Sequence, residues 1–202
     1  MSLSFAPADA KSLPLYVVSA DDLDAIPQAA KSWAEANGFT GALSQCLVVP
    51  DADGAIASVL VGYGTAQTRA RGRFHVAGIV ANLPAQAYHI AGGLSGQDLE
   101  ETALGWLLAG YSYRRYVQPA KPVATLKAPD GIDAAKIAAI AAGEALTRDL
   151  INTPTADMGP GDLEAVMREM ATAQGAALNV ITGDALLAQN FPMIHTVGRA
   201  VG

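Results

Sequence analysis

Short runs of β-branched and aromatic residues alternate along this chain with stretches of helical period, and glycine, proline or asparagine punctuates most of the joins. A chain patterned this way closes a core most readily by layering helices on an open sheet, so an α/β fold is expected. Leu15-Tyr16-Val17-Val18 reads as a first strand. A helix follows, with Asp24 as its cap, Pro27 at an early position, Ile26, Ala30 and Trp33 on one face, and Gly38 as its stop. A hairpin comes next: Gln45 to Val49, the turn formers Pro50-Asp51-Ala52-Asp53-Gly54, and the return strand Ile56 to Val61, closed by Gly62-Tyr63-Gly64. Phe74 to Val80 reads as a strand ended by Leu83-Pro84, and Ala87 to Ala91 as another, released by Gly92 and Gly93.

The second half is more helical. Ser95 with Asp98 three residues on has the form of a capping box, and Leu99, Ala103, Trp106 and Gly110 recur at helical spacing, broadened by Leu107 and Tyr111. Pro122 to Leu126 reads as a strand. Ala128-Pro129-Asp130-Gly131 is the best break. An alanine-rich helix then carries Asp133 as its cap, a stripe of Ile132, Ala135, Ala139, Ala142, Leu146 and Leu150, and an i,i+4 pair of Glu144 and Arg148. Beyond the turn-rich run Asn152 to Gly159, Pro160 opens a helix with Leu163, Met167 and Met170 inward and Gly175 at its end. Leu178 to Ile181 reads as a strand, and Gly183-Asp184 leads into a helical turn, Ala185 to Gln189. The expected domains are residues 1–128, a linking helix over 129–152, and 153–202 as an incomplete start of a second domain, because roughly fifty residues cannot close a core of their own.

Charge and cysteine usage exclude several functions. The net charge of −6 repels phosphate backbones and disfavours nucleic acid as a partner. The arginines at 69, 71 and 73, and at 114 and 115, read as a solvated loop and a helix end. Cys46, the single cysteine, cannot form an internal disulfide; within Cys46-Leu47-Val48-Val49 it reads as an inert core thiol. The start, Met1-Ser2-Leu3-Ser4-Phe5, lacks the pattern of a secretory signal, and no apolar stretch nears the ~20 residues of a membrane span. A cytoplasmic location is the expectation.

Residue patterns that carry chemistry are nearly absent. There is no His-Glu-x-x-His pair, Cys/His cluster, nucleophile elbow or P-loop. Gly92-Gly93-Leu94-Ser95-Gly96 before a helix could present backbone N–H groups to an anion, but a plain loop with a helix cap is the favoured reading. His75 and His89 fall in strand-like segments and His195 follows Phe191-Pro192-Met193-Ile194, so a hydrogen-bonded structural role is expected for each. Asp157 and Asp184 are read as helix caps. No residue is assigned as catalytic, cofactor-binding or metal-ligating.

One resemblance adds to this. Ala145-Leu146-Thr147-Arg148-Asp149-Leu150-Ile151-Asn152-Thr153-Pro154-Thr155-Ala156-Asp157-Met158-Gly159-Pro160 resembles the entry to the catalytic domain of the M17, or leucyl (cytosol) aminopeptidase, family. The tail from Ile181 through Phe191-Pro192-Met193-Ile194-His195 to Arg199-Ala200 is similar to it as well, as is Ala103-Leu104-Gly105-Trp106 with Tyr113-Arg114 upstream. The resemblance implies a three-layer α/β/α, macro-like N-terminal domain with a mixed sheet, followed by a linking helix and a partial α/β catalytic domain. It implies a cytosolic hydrolase that removes N-terminal residues from peptides with two divalent metals (zinc, manganese or magnesium), assembled as a hexamer. The family's metal ligands, around Asn-Thr-Asp-Ala-Glu-Gly-Arg-Leu, match nothing before Gly202; Asn152-Thr153-Pro154 is not that signature. Asn152, Asp157 and Gly159 are taken as architecture of the junction. The chain alone is expected to be inactive, with a non-enzymatic module for assembly or for nucleotide or partner binding as the alternative.

Overall fold

The structure is a computed structural model that describes residues 3–117 and 123–199. Pro122, the expected first residue of a strand, and the terminal Ala200-Val201-Gly202 lie outside the described residues. The chain divides into two compact units, Met1–Asn152 and Thr153–Gly202.

The first unit is built on a five-stranded mixed sheet. In chain order its elements are β1 (Ser12–Ser19), a 3-10 turn (Leu23–Ala25), α1 (Gln28–Ala36), β2 (Cys46–Pro50), β3 (Ile56–Gly64), the short α2 (Ala66–Arg69), a 3-10 segment (Ala77–Asn82), β4 (Ala87–Gly92), α3 (Gly96–Ala109), β5 (Thr125–Leu126) and α4 (Ala134–Asn152). The sheet order is β2-β3-β1-β4-β5. The expected hairpin is the antiparallel pair β2/β3, with Val48 opposite Val59. β1 lies between two parallel neighbours, pairing Leu15 with Val59 of β3 and Leu13 with Tyr88 of β4.

Strand β1 is covered on both faces, which is why it reads as a continuous apolar run. On one face Leu15, Val17, Val59, Val61, Tyr88 and Leu126 pack with Ile79 and Val80, with Ala103, Trp106 and Leu107 of α3, and with Ile137 and Ala141 of α4. On the other, Val18, Leu60 and Val49 pack with Ile26, Phe39 and Ala30 and Ala34 of α1. Helices on both faces give the expected α/β/α layering, and each such buried aliphatic side chain contributes about 1.5–3 kcal/mol. Trp106 fastens the layers: it is 2 % exposed, its ring lies 5.9 Å from that of Tyr88, and its indole N–H donates to the Ala124 carbonyl at 3.2 Å.

Several local readings are corrected. Asp24 does not cap α1; it sits in the 3-10 turn and pairs with Lys31 at 3.2 Å, while Pro27 holds the cap position. Trp33 is not on the buried face; Ala34 is, and the indole reaches out to donate to Val48 O at 3.0 Å. Phe74 to Val80 is no strand. Val76, Ile79 and Val80 are buried at i, i+3 and i+4, a helical spacing within an apolar run too short to separate the two periods. Phe74 itself turns the chain at φ +56°, held where the Glu101 carboxylate accepts its N–H at 2.9 Å. Ser95 stands at the cap of α3 but its hydroxyl makes no capping bond, and Gly96 opens the helix at φ +53°, outside α geometry. Asp133 does cap α4, accepting from the Lys136 N–H at 3.0 Å. The stripe assigned to α4 is out of phase: Ile137 and Ala141 are buried, whereas Ala135, Ala139 and Ala142 are exposed. With alanine nearly all round the helix, the period leaves the buried face undetermined.

The second unit contains α5 (Pro160–Gln174), α6 (Ala185–Ala188) and α7 (Pro192–Gly198). Asp157 is not the cap of α5. Gly159 holds that position and its N–H donates to Asp162 Oδ2 at 2.9 Å. Leu163, Met167 and Met170 share one side of α5 but remain exposed rather than inward. Leu178 to Ile181 forms no strand; a strand needs a partner for its N–H and C=O groups, and none exists among the described residues of this unit.

Candidate functional site

In an open α/β sheet, ligands bind beyond the carboxyl ends of parallel strands, where neighbouring strands send their connections in opposite directions. Here that place lies between β1, whose chain leads toward β3, and β4, whose chain leads toward β5. The segments bordering it are Ser19 to Asp22 and the glycine turn Gly92 to Gly96.

Close backbone packing shapes both borders. At Gly93, with φ +91°, a side-chain Cβ would stand 1.6 Å from the Val17 carbonyl oxygen. Gly93 therefore packs directly against the backbone of β1 at Val17, a close approach that only a residue without a side chain permits. The other border is knit by hydrogen bonds onto one carbonyl: Gly64 O accepts from the Ala20 N–H at 3.0 Å, the Ser19 hydroxyl at 3.0 Å and Arg69 Nη1 at 3.1 Å. Arg69 also donates to Tyr63 O at 2.8 Å and lies 4.2 Å above the Tyr63 ring. Arg73 pairs with Glu101 at 3.0 Å. These two arginines are thus structural ties, which spacing along the sequence cannot reveal.

Toward the opposite, amino-terminal ends of these strands the structure gathers residues that sequence reasoning left apart. Ser12, at the start of β1, places its hydroxyl 3.0 Å from His89 Nδ1 on β4. The two line a half-open cleft of about 300 Å³ together with Ile90 and the segment Lys127-Ala128-Pro129-Asp130. Parallel pairing of β1 with β4 accounts for the meeting, since Ser12 and Ala87 are in register and His89 is two residues on. The pair is a serine–histidine contact with its imidazole bound as expected; among the described residues no third side chain is seen orienting the ring as an acyl-transfer triad requires.

The remaining sequence candidates stay dispersed. His75 stacks edge-on against Tyr63 with ring centroids 6.0 Å apart. Cys46 is half-buried in β2, and burial pushes its thiol above the usual range, as suits an inert residue. In the second unit Asp184 makes no side-chain cap; its carboxylate lies 3.2 Å from His195 Nε2. Among the described residues, no three His, Cys, Asp or Glu side chains converge as metal donors, so these residues do not fit a metal cage.

The profile of the M17 aminopeptidase N-terminal domain matches residues 13–129. No curated protein matches the sequence significantly. Among solved structures, cytosol aminopeptidase from Coxiella burnetii superposes with a TM-score of 0.77 at 23% identity, over 92% of this chain and 41% of that one. The bottromycin maturation enzyme BotP gives 0.66 at 22%, over 88% and 41%, and a tomato leucine aminopeptidase mutant 0.57 at 18%, over 84% and 41%. At these identities the likeness is one of fold, and the chain spans about two fifths of the length of each.

Proposed function

The chain belongs to the M17 aminopeptidase family, whose N-terminal domain it carries at residues 13–129, and from that premise we propose that it is the N-terminal, non-catalytic portion of a leucyl-type metallo-aminopeptidase. The observation that carries this reading is the family match over the same layered sheet that superposes on Coxiella burnetii cytosol aminopeptidase. An enzyme of full family length containing this chain would remove N-terminal residues from peptides, work in the cytoplasm and assemble as a hexamer. Among the described residues no helix is long and apolar enough to cross a membrane.

Two divalent ions would supply a bridging, activated water and a polarised scissile carbonyl. BotP has also been solved in complex with manganese, which supports metal use within the family. The described residues of this chain offer no cage for such ions, so no catalytic step is assigned to them, and the chain alone is proposed to be inactive. The alternative is a non-enzymatic module for assembly or for nucleotide or partner binding.

The test is turnover of a leucine-linked chromogenic substrate with manganese. Purified residues 1–202 should release no chromophore above the buffer rate, whereas an enzyme of full family length should release it and lose that activity to a chelator. Turnover by residues 1–202 would overturn the assignment of the chemistry to other residues; an inactive full-length protein would overturn the peptidase reading.

A further inference from the structure

The run Glu144-x-x-x-Arg148-Asp149-x-x-Asn152 at the end of α4 is absorbed by no chemistry above, yet its side chains gather around one residue of α3's C-terminal extension. The Tyr111 hydroxyl donates to Asp149 Oδ1 at 2.8 Å and accepts from Asn152 Nδ2 at 3.1 Å. The Arg148 guanidinium lies 5.3 Å from the centre of the Tyr111 ring, and Glu144 holds that guanidinium at 2.9 Å. Helical spacing explains the convergence: positions 144 and 148, and positions 149 and 152, are neighbours on the helix surface. The phenol completes a directed chain, amide to hydroxyl to carboxylate, in which each bond polarises the next.

We propose that Tyr111 is the keystone of a latch that fixes the last turn of α4, and with it the point at which the chain leaves the first unit at Thr153. In this reading the Arg148-Asp149-…-Asn152 run is a positioning device rather than part of a site. Helix ends fray because their last carbonyls lack intrahelical partners. Above this turn the anchors Ile137 and Ala141 lie further back along the helix, and Ile151 is 77 % exposed. Leu150 is only half-buried, so apolar packing holds residues 148–152 weakly and the polar contacts to Tyr111 add to it. The latch lies wholly within the first unit and stands whether or not the peptidase reading does.

Amide hydrogen exchange on the whole chain tests this. Tyr111→Phe keeps a ring beneath Arg148 and removes both hydroxyl bonds. Exchange at residues 148–152 should then rise about tenfold, while the β1 amides keep their protection. Asn152→Ala should produce a similar local rise, and the double variant should add little to either, since both changes open one latch. A phenol titration by absorbance gives a second readout. Burial and the Asp149 bond hold the Tyr111 phenol above its ordinary range, so Asp149→Asn should bring one tyrosine down, and only where Tyr111 is present. Unchanged exchange at 148–152, an equal rise throughout the unit, additive variants, or an Asp149→Asn titration independent of Tyr111 would each overturn the latch.

Discussion

Replacing Gly93 with alanine asks how closely the turn after β4 packs on the backbone of β1. Its backbone stands at φ +91°, where an alanine is strained by about 1–2 kcal/mol. The larger effect is steric. The new Cβ would lie 1.6 Å from Val17 O and 2.7 Å from Val17 C, both backbone atoms, so no side-chain rotation relieves it. Either the turn or the end of β1 must move, and the nearby parallel pairing of Tyr16 with Gly92 goes with it. One or two ladder hydrogen bonds at roughly 1 kcal/mol each bring the total to about 3 kcal/mol. Gly96 provides the control within the same turn: its φ is +53° and nothing lies within 4 Å of an added Cβ, so Gly96→Ala should cost only the conformational part, about 1–2 kcal/mol. Urea unfolding followed by tryptophan fluorescence reports this unit specifically, because both tryptophans, Trp33 and Trp106, belong to it. Gly93→Ala should lower the midpoint by roughly 1–2 M and by clearly more than Gly96→Ala. Equal midpoints for the two variants would refute the close approach.

Trp106→Phe should destabilise the first unit by about 2 kcal/mol in the same assay, because it strips the buried Ala124 carbonyl of its donor and leaves space beside Tyr88. Glu101 supplies a pH dependence. Burial pulls its carboxyl upward, but the Phe74 N–H and Arg73 outweigh that and set it below the usual glutamate value. A carboxyl lowered on folding stabilises above its unfolded pKa of about 4.3 and loses that contribution as pH falls through the folded value. Wild type should therefore exceed Glu101→Gln in stability at pH 7, and the gap should close below roughly pH 4; a gap that widens on acidification would refute the account. Cys46 should react slowly with a thiol reagent in the native chain and at the free-cysteine rate in urea, since burial disfavours its thiolate.

The sequence alone determined which segments pair with what is nearest. The β2/β3 hairpin followed from a turn bounded by two apolar runs, the presence of α3 and α4 from their helical periods, and the role of Asp133 from its place just before a helix. Each of these is decided within a few residues, where backbone geometry and local hydrogen bonds dominate. Only the tertiary structure decided the rest. It chose which face of an alanine-rich helix is buried, turned Phe74 to Val80 into a turn entering the 3-10 segment Ala77–Asn82, and left Leu178 to Ile181 without a partner strand among the described residues. It also brought Ser12 to His89 and Tyr111 to Asp149 and Asn152, 77, 38 and 41 residues apart. Such meetings depend on sheet order and helix phase, and these are set by how separate elements share one core, a sum over contacts that no local window contains.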